Sequence, residues 1–224
     1  MDKFFRLSFV LLAVAAVATG ILAATHQLTA PAIAEGAKQE SAKALKGIFF
    51  DGFARAEPRT ATVGGETVEY YAVFTRAADQ EPDFYALAGK GLGYNKSVPV
   101  ELLVGFANPA KKDVILPGKE KYPAGKLVCA GWKVVKSQET PGLGENARQE
   151  QADFTWWDFL TDGCSEPLSD RRTPFQRQFA GREPGTLVVK TNVDIITGAT
   201  FTTNAVVDAV KDAAGKLEKI LNGK

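Results

Sequence analysis

The residues best placed to do chemistry lie at positions 194–200, where the sequence reads Asp-Ile-Ile-Thr-Gly-Ala-Thr. The segment ends in the hydroxyl of Thr200, which follows the two small residues Gly198 and Ala199. A helical pattern comes directly after it, and the N-terminus of a helix offers backbone N–H groups and the positive end of a dipole to an anion. The segment therefore predicts a position where a phosphate group could sit beside a threonine hydroxyl.

The residues on either side indicate which elements must hold this segment. Downstream, apolar residues recur at helical spacing and form one stripe along residues 203–221. The stripe consists of Val206, Val207, Val210, Ala213, Ala214, Leu217 and Leu221. We expect one of the residues 200–204 to cap this helix with a hydroxyl or an amide. Upstream, residues 186–196 are rich in β-branched side chains and predict a strand.

Composition excludes several classes of function. The chain has 224 residues, of which 45% are hydrophobic, and this is enough for one core of ordinary domain size. It carries 27 basic and 26 acidic residues, so its net charge of +1 gives no electrostatic basis for binding nucleic acid. The single histidine, His26, excludes multi-histidine zinc sites and bis-histidine haem sites within the chain. We expect no metal site.

The two cysteines, Cys129 and Cys164, are far apart and form no C-x-x-C motif. They are too few for an iron–sulfur cluster held by four cysteines. In an oxidising compartment they could form a disulfide, and in a reducing one they would be small buried hydrophobes. The sequence leaves both alternatives open.

An uncharged, strongly apolar run fills most of residues 7–25. Its length approaches the roughly 20 residues that a helix needs to cross a bilayer. Lys3 and Arg6 precede the run, so the positive-inside tendency places residues 1–6 in the cytoplasm and the rest of the chain outside. We predict an uncleaved signal anchor at residues 7–25. The alternative is a cleavable signal peptide, which needs a polar break that this run lacks.

The remainder of the chain predicts an α+β fold. Residues 26–46 are rich in Ala, Glu and Lys and predict a juxtamembrane helix that begins after Pro31, either as a stalk or packed on the domain. Residues 47–224 are expected to form one exported domain. Its apolar runs, separated by Gly and Pro clusters, predict a mostly antiparallel sheet, with helices flanking it at residues 151–160 and at the C-terminus. The glycine cluster at residues 89–93 predicts a turn between strands.

A second glycine-rich loop lies between a strand pattern and the helix predicted at residues 151–160. Its proline stiffens the loop, while its glycines allow the backbone to approach another group closely. The loop consists of Glu139, Thr140, Pro141, Gly142, Leu143 and Gly144. Alone it could be a surface turn, but together with residues 194–200 it indicates a binding site.

Together these segments resemble the FMN-binding domain of two ion-pumping membrane complexes. One is found in the G subunit of the Rnf-type electron transport complex, and the other in the C subunit of the sodium-translocating NADH:quinone reductase. The family pattern is a membrane helix, Gly-x-Gly-Tyr, Glu-Thr-Pro-Gly-Leu-Gly and Asp-x-x-Ser/Thr-Gly-Ala-Thr before a final helix. This chain has residues 91–94, 139–144 and 194–200 in that order. Its short length and its Gly-Leu-Gly-Tyr sequence favour the Rnf-type protein. Gln138 stands where such proteins often have histidine.

The resemblance implies covalent FMN. In the family, the last threonine of the Ser/Thr-Gly-Ala-Thr motif is esterified by the phosphate of FMN, which corresponds to Thr200. A separate flavin transferase, using FAD and magnesium, makes the bond. Thr197 and Asp194 would fix the turn by local hydrogen bonds, while Gly198 and Ala199 would leave room for the transferase and the ribityl chain.

The same resemblance assigns a role to the second loop. Its glycine backbone would press against the isoalloxazine ring, and Glu139 would bond backbone amides or the ribityl hydroxyls. Trp156 and Trp157 could stack on a flavin, although core packing of such residues is more common. Residues 165–182, with the Arg171–Arg172 pair, match no family motif, and we interpret their charges as solvated.

The function implied is that of a flavoprotein that relays electrons within an Rnf-type complex. Such complexes couple electron transfer between ferredoxin and NAD to the movement of sodium ions or protons. The protein would be a single-pass protein of the cell inner membrane with its domain on the extracytoplasmic side, and its partners would be the other Rnf subunits and the flavin transferase. It would need no catalytic acid or base of its own. Alternatives are the C subunit of the quinone reductase, a flavin-free membrane-tethered scaffold, and a hydrolase with Thr200 as nucleophile, which lacks a credible base.

Overall fold

The computed structural model describes most of the chain. It covers residues 2–50, 52–94, 96–111, 114–115, 121–122, 124–136, 172–196 and 199–223. The chain divides into two compact units, Met1–Ala42 and Lys43–Lys224. The helix predicted at residues 151–160 lies outside the described residues.

The first unit is the N-terminal part of α1, an α-helix at Asp2–Phe49. Within it, the 24 residues Ser8–Pro31 are long and apolar enough to cross a membrane, and none of this stretch is buried in the protein. Thr19, Thr25 and Thr29 each donate a hydroxyl hydrogen to the carbonyl one turn earlier, at 2.8 Å. These hydroxyls are thus satisfied within the helix, as a hydrocarbon environment requires.

Pro31 lies inside α1, so the prediction that a separate helix begins after it was wrong. A proline removes one backbone donor from a helix and disfavours the turn before it. Residues with high helix propensity flank Pro31, mainly Ala and Leu before it and Ala, Glu and Lys after it. The many hydrogen bonds of these flanking turns keep the helix continuous.

The described strands of the second unit are β1 Arg55–Val63, β2 Glu66–Phe74, β3 Phe84–Gly91, β4 Val100–Ala107, β5 Val114–Ile115, β6 Lys121–Tyr122 and β7 Cys129–Lys136. Five of them form an antiparallel sheet with the strand order β1-β2-β3-β4-β7. A separate two-stranded sheet pairs β5 with β6. The helices that follow are α2 Pro174–Arg177, a short 3-10 helix Pro184–Thr186 and α3 Thr200–Asn222. The predicted α+β class and the mostly antiparallel sheet are confirmed.

The two faces of the sheet are covered by different helices. Successive residues of a strand point to opposite faces, so Tyr85 and Leu87 belong to a core cluster with α3. Phe84 and Ala86 belong to the opposite cluster, which contains Ile48 and other residues from the last turns of α1. The predicted apolar stripe of α3 is confirmed, with every member buried except the last, which is partly buried.

Two glycines of β3 allow α3 to lie directly on the strand. A Cβ atom at Gly89 would be 2.0 Å from the carbonyl oxygen of Ala209, and one at Gly91 would be 1.9 Å from that of Ala205. Both distances are far inside van der Waals contact, so only glycine fits. The carboxylate of Asp212 also accepts a hydrogen bond from the backbone N–H of Lys90 at 3.0 Å.

This contact occurs where β3 extends beyond its pairing with β2. The register of those strands runs from Val73 opposite Phe84 to Tyr70 opposite Leu87, so the last residues of β3 have no partner strand on that side. The sequence predicted a turn for the glycine cluster at residues 89–93, and this was wrong for its first three residues. They continue the strand because they pair with β4, while α3 packs against their backbone on one face.

Lys111 ties the β2–β3 connection to the residues that follow β4. Its ammonium group lies 2.7 Å from Asp83 and 3.0 Å from Asp79. Burial alone would raise the pKa of Asp83, but the ion pair with Lys111 and the hydrogen bonds from Thr75 outweigh it and hold that pKa below its usual value. The cluster is fully paired and stabilises the fold.

Gly91→Ala tests the close packing of α3 on the backbone of β3. The added methyl group would meet a backbone carbonyl, which cannot rotate away, so we expect a loss of about 3 kcal/mol in the free energy of unfolding. Gly215→Ala is the matched control on α3, since nothing lies within 4 Å of the position that its methyl group would take. It should stabilise the protein by about 0.5–1 kcal/mol, because alanine is the better helix former. Denaturant unfolding of the full chain in detergent measures both, and equal stability of the two variants would contradict the account.

Candidate functional site

Thr200 is the first residue of α3, and its side chain is exposed. The residue at the N-cap position is Ala199, whose methyl side chain cannot accept a hydrogen bond. The prediction that one of the residues 200–204 would cap the helix was therefore wrong. The cap position falls one residue earlier than the hydroxyls, so Thr200 itself stands inside the first turn.

The hydroxyl of Thr203 stabilises the turn that leads into the helix. It donates to the carbonyl oxygen of Ala199 at 3.0 Å and accepts from the backbone N–H of Ile196 at 3.2 Å. The backbone N–H of Ala199 in turn donates to the carbonyl of Ile196 at 2.9 Å. The buried Thr203 thus bonds to both Ile196 and Ala199 and fixes the distance between these two residues.

Exposure distinguishes the three threonines of this first turn. Thr202 and Thr203 are 3% and 0% exposed, whereas Thr200 is exposed. Thr202 and Thr203 face the sheet because they continue the apolar stripe of α3. Of these three hydroxyls, that of Thr200 is the one open to a reagent from solution.

The electrostatics of this helix end suit an anion. The first turn of α3 contains no acidic residue, and the helix dipole places partial positive charge at this end. Backbone N–H groups of the first turn point away from the helix body toward the same region. A phosphate on the Thr200 hydroxyl would therefore be stabilised.

Residues 186–196 do not form the predicted strand, and residues 188–193 form a tight turn. The Asn192 side chain accepts from the N–H of Val188 and donates to the carbonyl of Thr186, each at 2.7 Å. Lys190 adopts a φ of 70°, and only an isolated bridge joins Val189 to Val193. The amide of Asn192 competes with strand pairing for these backbone groups, and for this reason the β-branched residues do not extend.

Asp194 follows this turn and is exposed. Its backbone N–H donates to the Gln178 side chain at 2.6 Å, which ties the site segment to the end of α2. The structure thus brings Asp194, Ala199 and Thr200 to one region. The other predicted site residues lie outside the described residues: Glu139, Thr140, Pro141, Gly142, Leu143, Gly144, Thr197 and Gly198.

An exposed pair of aromatic rings beside Thr200 was missed in the sequence. Tyr94 and Phe201 lie with their ring centroids 5.9 Å apart at an interplanar angle of 65°. The contact of Gly91 with Ala205 brings the chain that follows β3 to the first turn of α3. The signal available in the sequence was Tyr94 at the end of the Gly-x-Gly-Tyr motif.

Near β7, two expectations are resolved. Arg172 is 4% exposed and donates to the carbonyl of Ala130 at 3.3 Å, so interpreting its charge as solvated was wrong. Cys129 is a buried free thiol whose pKa is raised to about 12, mainly by burial. Cys164, Arg171, Trp156 and Trp157 lie outside the described residues. Among the described residues there is no cluster of groups that could hold a metal ion.

Two family models match the chain. The model of an FMN-binding domain matches residues 123–215, which include both glycine-containing site segments. The model of the RnfG N-terminal region matches residues 3–48, which include the apolar part of α1. Among curated proteins and among solved structures, no match was found.

Thr203→Val tests the turn that precedes Thr200. The substitution keeps the volume but removes the hydroxyl that bonds Ala199 and Ile196, so the free energy of unfolding should fall by about 1–3 kcal/mol. Thr200→Val is the matched control, since it is the same change at an exposed position of the same turn. It should alter stability by no more than about 0.5 kcal/mol. Unfolding of protein made without any flavin transferase measures both, and a Thr203→Val variant as stable as the control would contradict the role of this hydroxyl.

Proposed function

Because the chain is an FMN-binding protein of the RnfG type, we propose that it carries one FMN in phosphoester linkage to Thr200 and relays electrons within an Rnf-type complex. Membership of this family implies a complex with other Rnf subunits. The proposed steps are maturation by a transferase, positioning of the flavin by this domain, and electron transfer to and from neighbouring subunits.

The choice of Thr200 rests on its exposure. A transferase must bring the phosphorus of its donor to within bonding distance of the hydroxyl oxygen, and it can do so only at a solvent-exposed side chain. The buried side chains of Thr202 and Thr203 would have to leave the core first. Thr203 would also lose its hydrogen bonds to Ala199 and Ile196.

The attachment itself is a phosphoryl-type transfer. The Oγ1 atom of Thr200 attacks the FMN phosphorus of FAD, a phosphoester bond forms, and the bond to AMP breaks, so that AMP leaves. The hydroxyl proton passes to a base of the transferase or to solvent.

After transfer, the helix end retains the anion. The phosphoester keeps a negative charge, which is attracted by the dipole of α3 and by N–H groups of its first turn. No acidic residue of this turn opposes that attraction. The described residues therefore fit the phosphate end of FMN.

The redox chemistry belongs to the isoalloxazine ring, which accepts and releases electrons when it is bound. The protein holds the ring, limits its motion and keeps it near the membrane. A covalent bond prevents loss of the flavin on the extracytoplasmic side, where we propose that residues 47–224 lie. The Ser8–Pro31 stretch would anchor the protein in the cell inner membrane, beside the subunits that exchange electrons with it and move sodium ions or protons.

The observation that carries this proposal is the exposed hydroxyl of Thr200 at the start of α3, within the matched FMN-binding domain. Coexpression with a flavin transferase should yield a band that fluoresces under ultraviolet light on a denaturing gel. Thr200→Ala should abolish this fluorescence, because no hydroxyl remains to attack the donor. Thr200→Ser keeps the hydroxyl and should retain measurable labelling.

Thr202→Val is the matched control, since it removes a neighbouring hydroxyl and should leave the band fluorescent. A dark band from the unaltered protein would contradict the flavin proposal and favour a flavin-free scaffold. A fluorescent Thr200→Ala band would move the attachment to another residue.

A further inference from the structure

The second unit exposes few large apolar side chains among its described residues. They are Leu92, Tyr94, Val188 and Phe201. Three of them lie in the chain that follows β3 and in the first turn of α3, so the exposed apolar surface of this unit is concentrated next to Thr200. A local concentration of this kind marks a binding surface more often than single exposed residues do.

The rings at the centre of this surface are held in place. Tyr94 is 71% exposed and Phe201 is 58% exposed, yet the two rings meet in an edge-to-face arrangement. Phe201 is fixed by its position in the first turn of α3. The segment that carries Tyr94 is held nearby because Gly91 packs on the backbone of Ala205.

The position of this surface limits what can cover it. Phe201 is adjacent to Thr200 in the helix, so any group tethered to the Thr200 hydroxyl lies within reach of both rings. A flavin carries a planar aromatic ring system with an apolar benzenoid edge, and such rings pack against aromatic side chains in offset or edge-to-face geometry. A tethered isoalloxazine would shield the two side chains from water.

We propose that Tyr94 and Phe201 form the surface on which the isoalloxazine ring of the flavin packs, with the Tyr94 phenol in contact with the ring. This inference depends on the proposed attachment at Thr200. It assigns the two rings a positioning role: they would restrict the flavin to one orientation relative to the partner that exchanges electrons with it. Leu92, which is 60% exposed, lies on the same segment as Tyr94, directly after β3.

The intensity of flavin fluorescence tests whether the Tyr94 phenol contacts the isoalloxazine ring. A phenol in contact with an excited flavin donates an electron to it and then recovers that electron, which quenches emission without net chemistry. Phenylalanine packs in the same way but does not donate. In full-length protein matured by the transferase and kept folded in detergent, Tyr94→Phe should therefore raise the emission per flavin several-fold.

Tyr71→Phe is the matched control, because Tyr71 packs with the opposite core cluster, on the α1 side of the sheet. Its emission should equal that of the unaltered protein. In the double variant Tyr94→Ala/Phe201→Ala the flavin should rotate more freely on its tether, and its fluorescence anisotropy should fall. On denaturing gels all these variants should show the same fluorescence per protein, since Thr200 is intact.

The outcomes separate the two proposals. A dark denaturing gel for the unaltered protein means that no flavin is attached and contradicts the proposed function. A bright gel together with unchanged emission in Tyr94→Phe and unchanged anisotropy in the double variant overturns the packing surface alone. Retained flavin with raised emission in Tyr94→Phe or lowered anisotropy in the double variant supports it.

Discussion

The contact between the backbones of β3 and α3 is the constraint on which the rest of this structure depends. Gly89 and Gly91 lack the Cβ atoms that would meet the carbonyls of Ala209 and Ala205, so the helix lies on the strand at backbone distance. Asp212 adds a hydrogen bond to the N–H of Lys90, which β2 leaves unpaired. Two glycines and one carboxylate therefore define both how far α3 lies from the sheet and where along it the helix begins.

This packing of α3 on β3 determines which side chains in the first turn of α3 are accessible to solvent. With α3 held against the sheet, Thr202 and Thr203 point into the core and Thr200 points to solvent. Thr203 then organises the preceding turn through its hydroxyl, whereas the hydroxyl of Thr200 remains accessible. The same packing brings Tyr94 to Phe201. One packing contact thus accounts for an exposed hydroxyl, a helix end suited to an anion, and an aromatic surface beside them.

The periodic features of the sequence were sufficient for the sheet and the α3 stripe, because burial of one face repeats along each element. Features set by single side chains were not predictable in this way. Residues 186–196 have a strand composition, but the amide of Asn192 takes the backbone groups that a strand would pair. The glycines of β3 indicated a turn in the sequence, because α3, whose packing requires them, is distant along the chain. The cap of α3 falls on Ala199 because Thr203, one turn later, secures the approach to the helix.

The central claim is that this packing presents Thr200, and no neighbouring threonine, for modification by FMN. Peptide mapping of the mature protein by mass spectrometry tests it most directly, since cleavage after Lys190 and Lys211 releases one peptide that carries Thr200 together with Thr202 and Thr203. Fragmentation of that peptide should locate the mass of one esterified FMN on Thr200. A peptide without this mass, or with it on Thr202 or Thr203, would contradict the account.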